Sequence, residues 1–153
     1  MNAAETLHRR NKLLVNIIWG MLILGIIVDF LTDAPPVAIL VLAVVGVISC
    51  GVATIMTYKR WYPESVMYFI PVIMTGLTLM LAVTDPIITT YFLVFVNLAV
   101  MTLYNNFRAL IFTGALGLAL TVYLFLSPYR NALFMDNSPI TITLYLFMIA
   151  VPL

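Results

Sequence analysis

Polar residues in this chain fall between long apolar stretches rather than along one face of them. After an opening that holds Asn2, Glu5, His8, Arg9, Arg10, Asn11 and Lys12, an apolar run covers 13–31 and is closed by Thr32, Asp33, Ala34, Pro35 and Pro36. Further runs cover 36–58, stopped by Lys59 and Arg60, then 63–83, 86–104, 108–126 and 139–153. Neither the two-residue alternation of a half-buried strand nor the stripe of a water-facing helix is present, so each run reads as a helix buried on all sides. One helix needs about 20 apolar residues to cross a hydrocarbon core of about 30 Å. The pattern therefore predicts an all-α, polytopic transmembrane bundle of six spans preceded by a short polar tail, 1–12.

Local signals sharpen the boundaries. Pro63 with Glu64 behind it suits a helix start, because proline at the first position loses no useful N–H and the carboxylate faces the positive end of the helix dipole. Asp85 before Pro86 repeats the arrangement as N-cap and first residue. Asn105 and Asn106 predict a tight turn, and Ser127-Pro128 closes the fifth run. The first run is longer than a signal-peptide core and no small-residue cleavage site follows it, so it reads as retained. The last run has only 15 residues, roughly 22 Å of helix, which is short of the core thickness. The expectation is a sixth span cut short, with a cytoplasmic output domain beyond it that this chain does not contain.

Composition agrees and narrows the function classes. Of 153 residues, 64% are hydrophobic and only 8% charged, whereas a soluble domain carries roughly 25% charged residues. The net charge of +1 leaves no basic stripe for nucleic acid. A single cysteine, Cys50, excludes both a disulfide framework and a cysteine-based zinc cluster. The distribution of charge says more than its sum. With the N-terminus inside, Arg9, Arg10, Lys12, Lys59, Arg60 and Arg108 all fall on the cytoplasmic side and only Arg130 outside, as short loops rich in Lys and Arg require. Trp61, between Tyr58 and Tyr62, belongs at headgroup depth beside them. The expected location is a bacterial inner membrane.

Candidate chemistry is sparse. Ionisable groups within a bilayer are costly and mark function, and Asp29 is the one acid inside an apolar run. It reads first as a helix-end carboxylate and second as a ligand contact, with Asp33 and Asp85 as neighbouring outer-side candidates for a stimulus. Asn97, in the middle of the fourth run, suits a hydrogen bond to another helix and thereby coupling between helices. Pro71 predicts a kink in the third run, whether static or a hinge. Gly46 with Cys50, Ser49 with Ala53, and Ala115 with Ala119 stand four apart, the small-residue spacing that lets helices approach. His8 has no second imidazole or thiol at ligand spacing, and no hydrolase, protease or nucleotide-binding motif is present. Neither metal, nor cofactor, nor enzymatic activity is expected.

The opening Arg9-Arg10-Asn11-Lys12-Leu13-Leu14, the run Ile17-Ile18-Trp19-Gly20-Met21-Leu22-Ile23-Leu24-Gly25 and the short-looped spans together resemble the N-terminal membrane region of certain bacterial methyl-accepting chemotaxis proteins. That resemblance implies a sensory input domain, a homodimer held through the missing cytoplasmic part, and a chemotaxis histidine kinase with its coupling protein as partners. Similar membrane inputs precede diguanylate cyclase or histidine kinase outputs, and a transporter or channel fragment is the rival of a different class.

Overall fold

The computed structural model describes residues 3–84, 86, 88–134 and 139–150. All the regular structure among them is helical: α1 (Ala3–Leu31), α2 (Pro36–Tyr58), α3 (Pro63–Thr84), α4 (Ile88–Tyr91), α5 (Leu93–Thr102), α6 (Phe107–Leu126), α7 (Arg130–Leu133) and α8 (Pro139–Ala150). Four of these, α1, α2, α3 and α6, are long and apolar enough to cross a membrane. Six spans were expected, and the difference lies in the fourth and sixth runs.

The fourth run divides at Phe92 into α4 and α5. Phe92 keeps right-handed helical dihedrals (φ −59°, ψ −18°), and its N–H still donates to the Ile88 carbonyl at 3.2 Å. The two pieces therefore follow one path with a local irregularity, in a stretch of β-branched and aromatic residues that hold helix weakly. From Ile88 to Thr102 this path rises roughly 22 Å, below the usual core thickness. The sixth run is described only as the 12-residue α8. At the other extreme α1 absorbs most of the expected polar tail: its 29 residues begin at Ala3 and extend roughly 43 Å, so Arg9, Arg10 and Lys12 stand on helix rather than on a loose segment.

Helix ends follow the chemistry of their residues. Asp33 (φ 53°) lies in the left-handed region after α1, and the Ala34 N–H donates back to the Asp29 carbonyl at 3.0 Å, which is the closing bond of a Schellman stop. Arg60 (φ 54°) does the same after α2, where the Trp61 N–H reaches the Met56 carbonyl at 3.0 Å and the Arg60 N–H reaches Thr57 at 3.3 Å. Pro36 sits at the first position of α2. Asn106 caps α6, its side chain accepting from the Arg108 N–H at 3.0 Å. Pro71 lies within α3, buried, and the helix is continuous through it.

Helices α1 and α3 run in the same direction with α2 returning between them, and α3 also packs on α6 and α5. A first core joins Leu14, Ile18 and Leu22 of α1 to Cys50 and Ala53 of α2, Ile70 and Met74 of α3, and Met101 and Tyr104 beyond. A second gathers Tyr91, Val94, Leu120, Leu124, Leu133, Phe134 and Ile149, with Tyr91 edge-on to Phe95, Phe134 and Tyr145 at centroid distances of 5.0–5.8 Å. The outside is apolar as well: Leu40, Ile48 and Ile55 of α2, Leu24 and Phe30 of α1, and Ile111 and Tyr123 of α6 are exposed. Such a surface matches hydrocarbon and not water.

Close packing depends on small residues in one place above all. Gly46 of α2 faces Leu22 of α1 so tightly that an added Cβ would overlap the leucine's Cδ1. Its spacing partner Cys50 and the neighbouring Ala53 are buried on the same face, while Ser49 is half-buried. On α6 the inward residues are Gly114, Gly117 and Thr121, and Ala115 and Ala119 point outward. The outward alanines leave the close approach on α6 to the glycines: an added Cβ at Gly117 would meet Val94 Cγ1 at 3.1 Å. Gly46→Ala is expected to lower stability by about 1–3 kcal/mol through overpacking, measured by unfolding in mixed detergent micelles. Gly20→Ala, where an added Cβ meets nothing within 4 Å, and Ala115→Leu should each stay within about 0.5 kcal/mol.

Candidate functional site

Between α1, α3, α4 and α5 lies a cavity of about 190 Å³. Its wall on α1 is Met21, Leu24, Gly25, Val28 and Asp29; α3 contributes Leu77, Thr78 and Leu81; Thr90 and Leu93 close it. Met21, Leu24, Gly25, Val28 and Asp29 stand at i, i+3, i+4, i+7 and i+8, so they form one strip of the helix. Gly25 lets α3 come near, since a Cβ there would touch Leu81 Cδ1 at 3.3 Å. The lining is almost wholly apolar, and among the ten lining residues Asp29 is the one titratable group, 0% exposed. Asp29 lies within the last turn of α1, and Thr90 stands at the same end of the bundle on the start of the α4–α5 path.

Thr78 links this cavity to Asn97. The Asn97 amide donates to Thr78 Oγ1 at 3.0 Å, and that hydroxyl donates to the Met74 carbonyl one turn back at 2.8 Å. Both side chains are buried, and Asn97 Oδ1 finds no hydrogen-bond partner among the described residues. Two residues singled out by type and depth, Asp29 and Asn97, thus converge on one place: the first lines the cavity and the second holds its wall. Asp33 does not join them; it is exposed and serves as the α1 stop. Asp85 and Asp136 lie outside the described residues. Pro71, though buried on α3, is not a lining residue. Thr78 and Thr90 carried no signal in the sequence, because a threonine inside an apolar run more often bonds its own helix, as Thr113 and Thr121 do here.

The opposite end of the bundle collects the cations. Arg10 donates to the Tyr104 carbonyl at 2.8 Å, and Asn11 to the Pro63 carbonyl at 3.1 Å, which ties the start of α1 both to the α5–α6 turn and to the α2–α3 turn. Lys12 Nζ stands 4.9 Å from the Tyr58 ring centre and Lys59 Nζ 5.1 Å from that of Trp61. His8 is close enough to Arg60 and Lys12 to feel their charge. Arg9, Arg60 and Arg108 are exposed at this same end. Arg130 is at the far end, 4.5 Å from the Phe125 ring centre.

No known protein family matches the chain, and no curated protein or solved structure matches it. The site therefore has to be read from its own residues. Among the described residues no group of three His, Cys, Asp or Glu side chains is placed to hold a metal ion, and Cys50 is buried as a free thiol in the α1–α2–α3 core.

The Asn97–Thr78 bond crosses between α5 and α3 where lipid or apolar packing would otherwise be the alternative, so its coupling energy is measurable. A double-mutant cycle of Asn97→Leu and Thr78→Val should give an interaction of about 0.6–2 kcal/mol. The double variant should lose less stability than the sum of the single ones, because it leaves neither partner stranded.

Proposed function

We propose that this chain is the membrane-embedded sensory input domain of a bacterial signal-transduction receptor, with chemotaxis as the output its resemblance implies. The observation that carries the reading is the apolar cavity with its single carboxylate, set between helices that are bonded to one another across its wall. An ionisable residue buried in a membrane bundle is a functional site by default. Occupancy of this cavity changes the relative energies of two packings of α1, α3 and α5 by its differential contacts with them, which is all that a packing switch requires. Asn97 is the coupling residue in this reading, since its amide joins the cavity wall to the α4–α5 path. Lipid surrounds the bundle; homodimerisation, the coupling protein and the kinase follow from the resemblance alone, and a diguanylate cyclase or histidine kinase output is the alternative within the same class.

The arrangement of cations supports a cytoplasmic N-terminus. The first turns of α1, the α2–α3 turn and the α5–α6 turn form one basic end ringed by Tyr58, Trp61 and Tyr62, and such ends stay on the cytoplasmic side. In this orientation the α4–α5 path returns the chain from the outer to the inner surface.

Transport is the second reading, and the irregularity at Phe92 favours it, because broken helices beside a buried carboxylate are where transporters bind substrate. The coding frame beyond Leu153 separates the two. The input-domain reading expects a signalling domain in that frame; a stop codon there, or a further set of spans, overturns it. Orientation is checked independently with single cysteines: Lys59→Cys should react with an impermeant maleimide only from the cytoplasmic side and Asp33→Cys only from outside, and the reverse pattern overturns the proposed topology.

A further inference from the structure

The cations at the start of α1 and at the α2–α3 turn form a patch that the fold holds in place. Arg10 and Asn11 are committed to the Tyr104 and Pro63 carbonyls, which pins this part of α1 to both neighbouring turns. Lys12 Nζ stands over the Tyr58 ring at 4.9 Å and Lys59 Nζ over that of Trp61 at 5.1 Å. A ring satisfies one side of an ammonium group and leaves its remaining donors for an acceptor. His8 lies close enough to both Arg60 and Lys12 to feel their charges, and Arg60, held at a left-handed φ of 54°, is exposed. Donors from α1 and from the α2–α3 turn thus meet at one corner. Glu5 and Glu64 are the acids at this end, both exposed, and among the described residues no carboxylate pairs with Lys12, Lys59 or Arg60.

What lies below the patch decides which anion it suits. His8, Lys12 and Asn16 stand four apart on one strip of α1. Asn16 is exposed, and its side-chain amide makes no hydrogen bond among the described residues. It lies about 6 Å deeper along the helix axis than Lys12, and the polar layer between phosphates and hydrocarbon is roughly 5–8 Å thick on each side of a bilayer. An unpartnered amide on the outer surface therefore sits at the depth of lipid ester groups when the cations sit at the depth of lipid phosphates. On α2 the strip Ile48, Val52, Ile55 and Lys59 is exposed along its whole length, so hydrocarbon contact continues directly below the ammonium. Cation, amide and apolar strip follow the order of phosphate, ester and acyl chain in a phospholipid. A soluble anion would use only the first of the three, and a choline or ethanolamine head would bring a further cation into a patch of cations. We propose that this corner binds one anionic phospholipid, its phosphate between Lys12 and Arg60, its ester groups at Asn16 and a chain against Val52 and Ile55. The site goes beyond the sensory reading and does not depend on it, nor on which side of the membrane the basic end faces.

The test titrates the chain, held in dodecyl maltoside micelles, with phosphatidylglycerol and with phosphatidylcholine of the same acyl chains, and counts bound lipids by native mass spectrometry. The first phosphatidylglycerol is expected to bind about tenfold or more tighter than phosphatidylcholine, the ratio that one charge-assisted bond supplies, and later ones should show no such preference. Lys12→Gln combined with Arg60→Gln should abolish the preference. Arg9→Gln combined with Arg108→Gln removes the same charge from the same end of the bundle and should leave it in place. Glycerol phosphate in large excess should fail to displace the bound lipid. Equal affinities for the two lipids in the unaltered chain, a preference that survives loss of Lys12 and Arg60, or one that falls equally with loss of Arg9 and Arg108 overturns the site. Displacement by glycerol phosphate assigns the patch to a soluble phosphate ester and overturns the lipid. Should the Lys12 and Arg60 double variant fail to fold, Arg60→Gly decides: glycine suits the left-handed φ at that position, and full retention of the preference in this variant overturns the proposal.

Discussion

Helix α3 is the constraint on which the rest of the bundle is arranged. In lipid no hydrophobic force draws helices together, so packing, small residues and interhelical hydrogen bonds have to do it, and α3 is the element that meets the others on most of its circumference. Val66, Ile70, Met74, Leu77 and Leu81 are buried along it, and both hydrophobic cores include or adjoin its residues. Because α1 and α3 are parallel neighbours, their strips of side chains either interdigitate or leave a gap. Leu14, Ile18 and Leu22 of α1 share one core with Ile70 and Met74 of α3. Toward the end of α1 the two helices enclose the cavity, where Gly25 lets Leu81 approach.

Polar groups inside the bundle are few, and several of them hold it together. Threonines return their hydroxyls to their own helices, as at Thr54 toward the Cys50 carbonyl and Thr78 toward Met74, which removes a donor from the apolar interior without a cross-helix partner. The same oxygen is then available to accept from elsewhere: Thr54 takes the Trp19 indole N–H at 3.0 Å and Thr78 takes the Asn97 amide at 3.0 Å. Each pair fastens two helices with groups that were already satisfied once. That economy explains how a chain with 8% charged residues can still specify which helix faces which.

Much of this architecture is legible from residue type and spacing, and the parts that are not have physical reasons. The bounds of α2 and the starts of α3 and α8 follow directly from Pro36, Pro63 and Pro139, because proline's fixed φ and missing N–H act locally. The start of α1 does not, since the apolar run begins only after Lys12 while the helix itself needs only backbone bonds and good helix formers, which Glu5, Leu7, Arg9 and Arg10 supply. The break at Phe92 is hidden for the opposite reason: its residues are apolar throughout, and hydropathy cannot separate one long helix from two short ones. Gly46, Cys50 and Ala53 lie on a buried face whereas Ala115 and Ala119 face out, because a four-residue spacing fixes that two residues share a side of a helix and not which side. For Asp29 the sequence position predicts depth, but its membership of a cavity depends on Leu77, Leu81 and Leu93, which lie 48 residues or more away along the chain.

The bond from Arg10 to the Tyr104 carbonyl spans 94 positions of sequence, and that separation bears on how the protein is built. During synthesis Arg10 emerges long before its acceptor, which follows only after the α5 segment has been made. Until then the helices available for α1 to pack on are α2 and α3. The bond therefore closes only after the first three helices have been made, and its closure fastens the start of α1 to the turn that leads into α6.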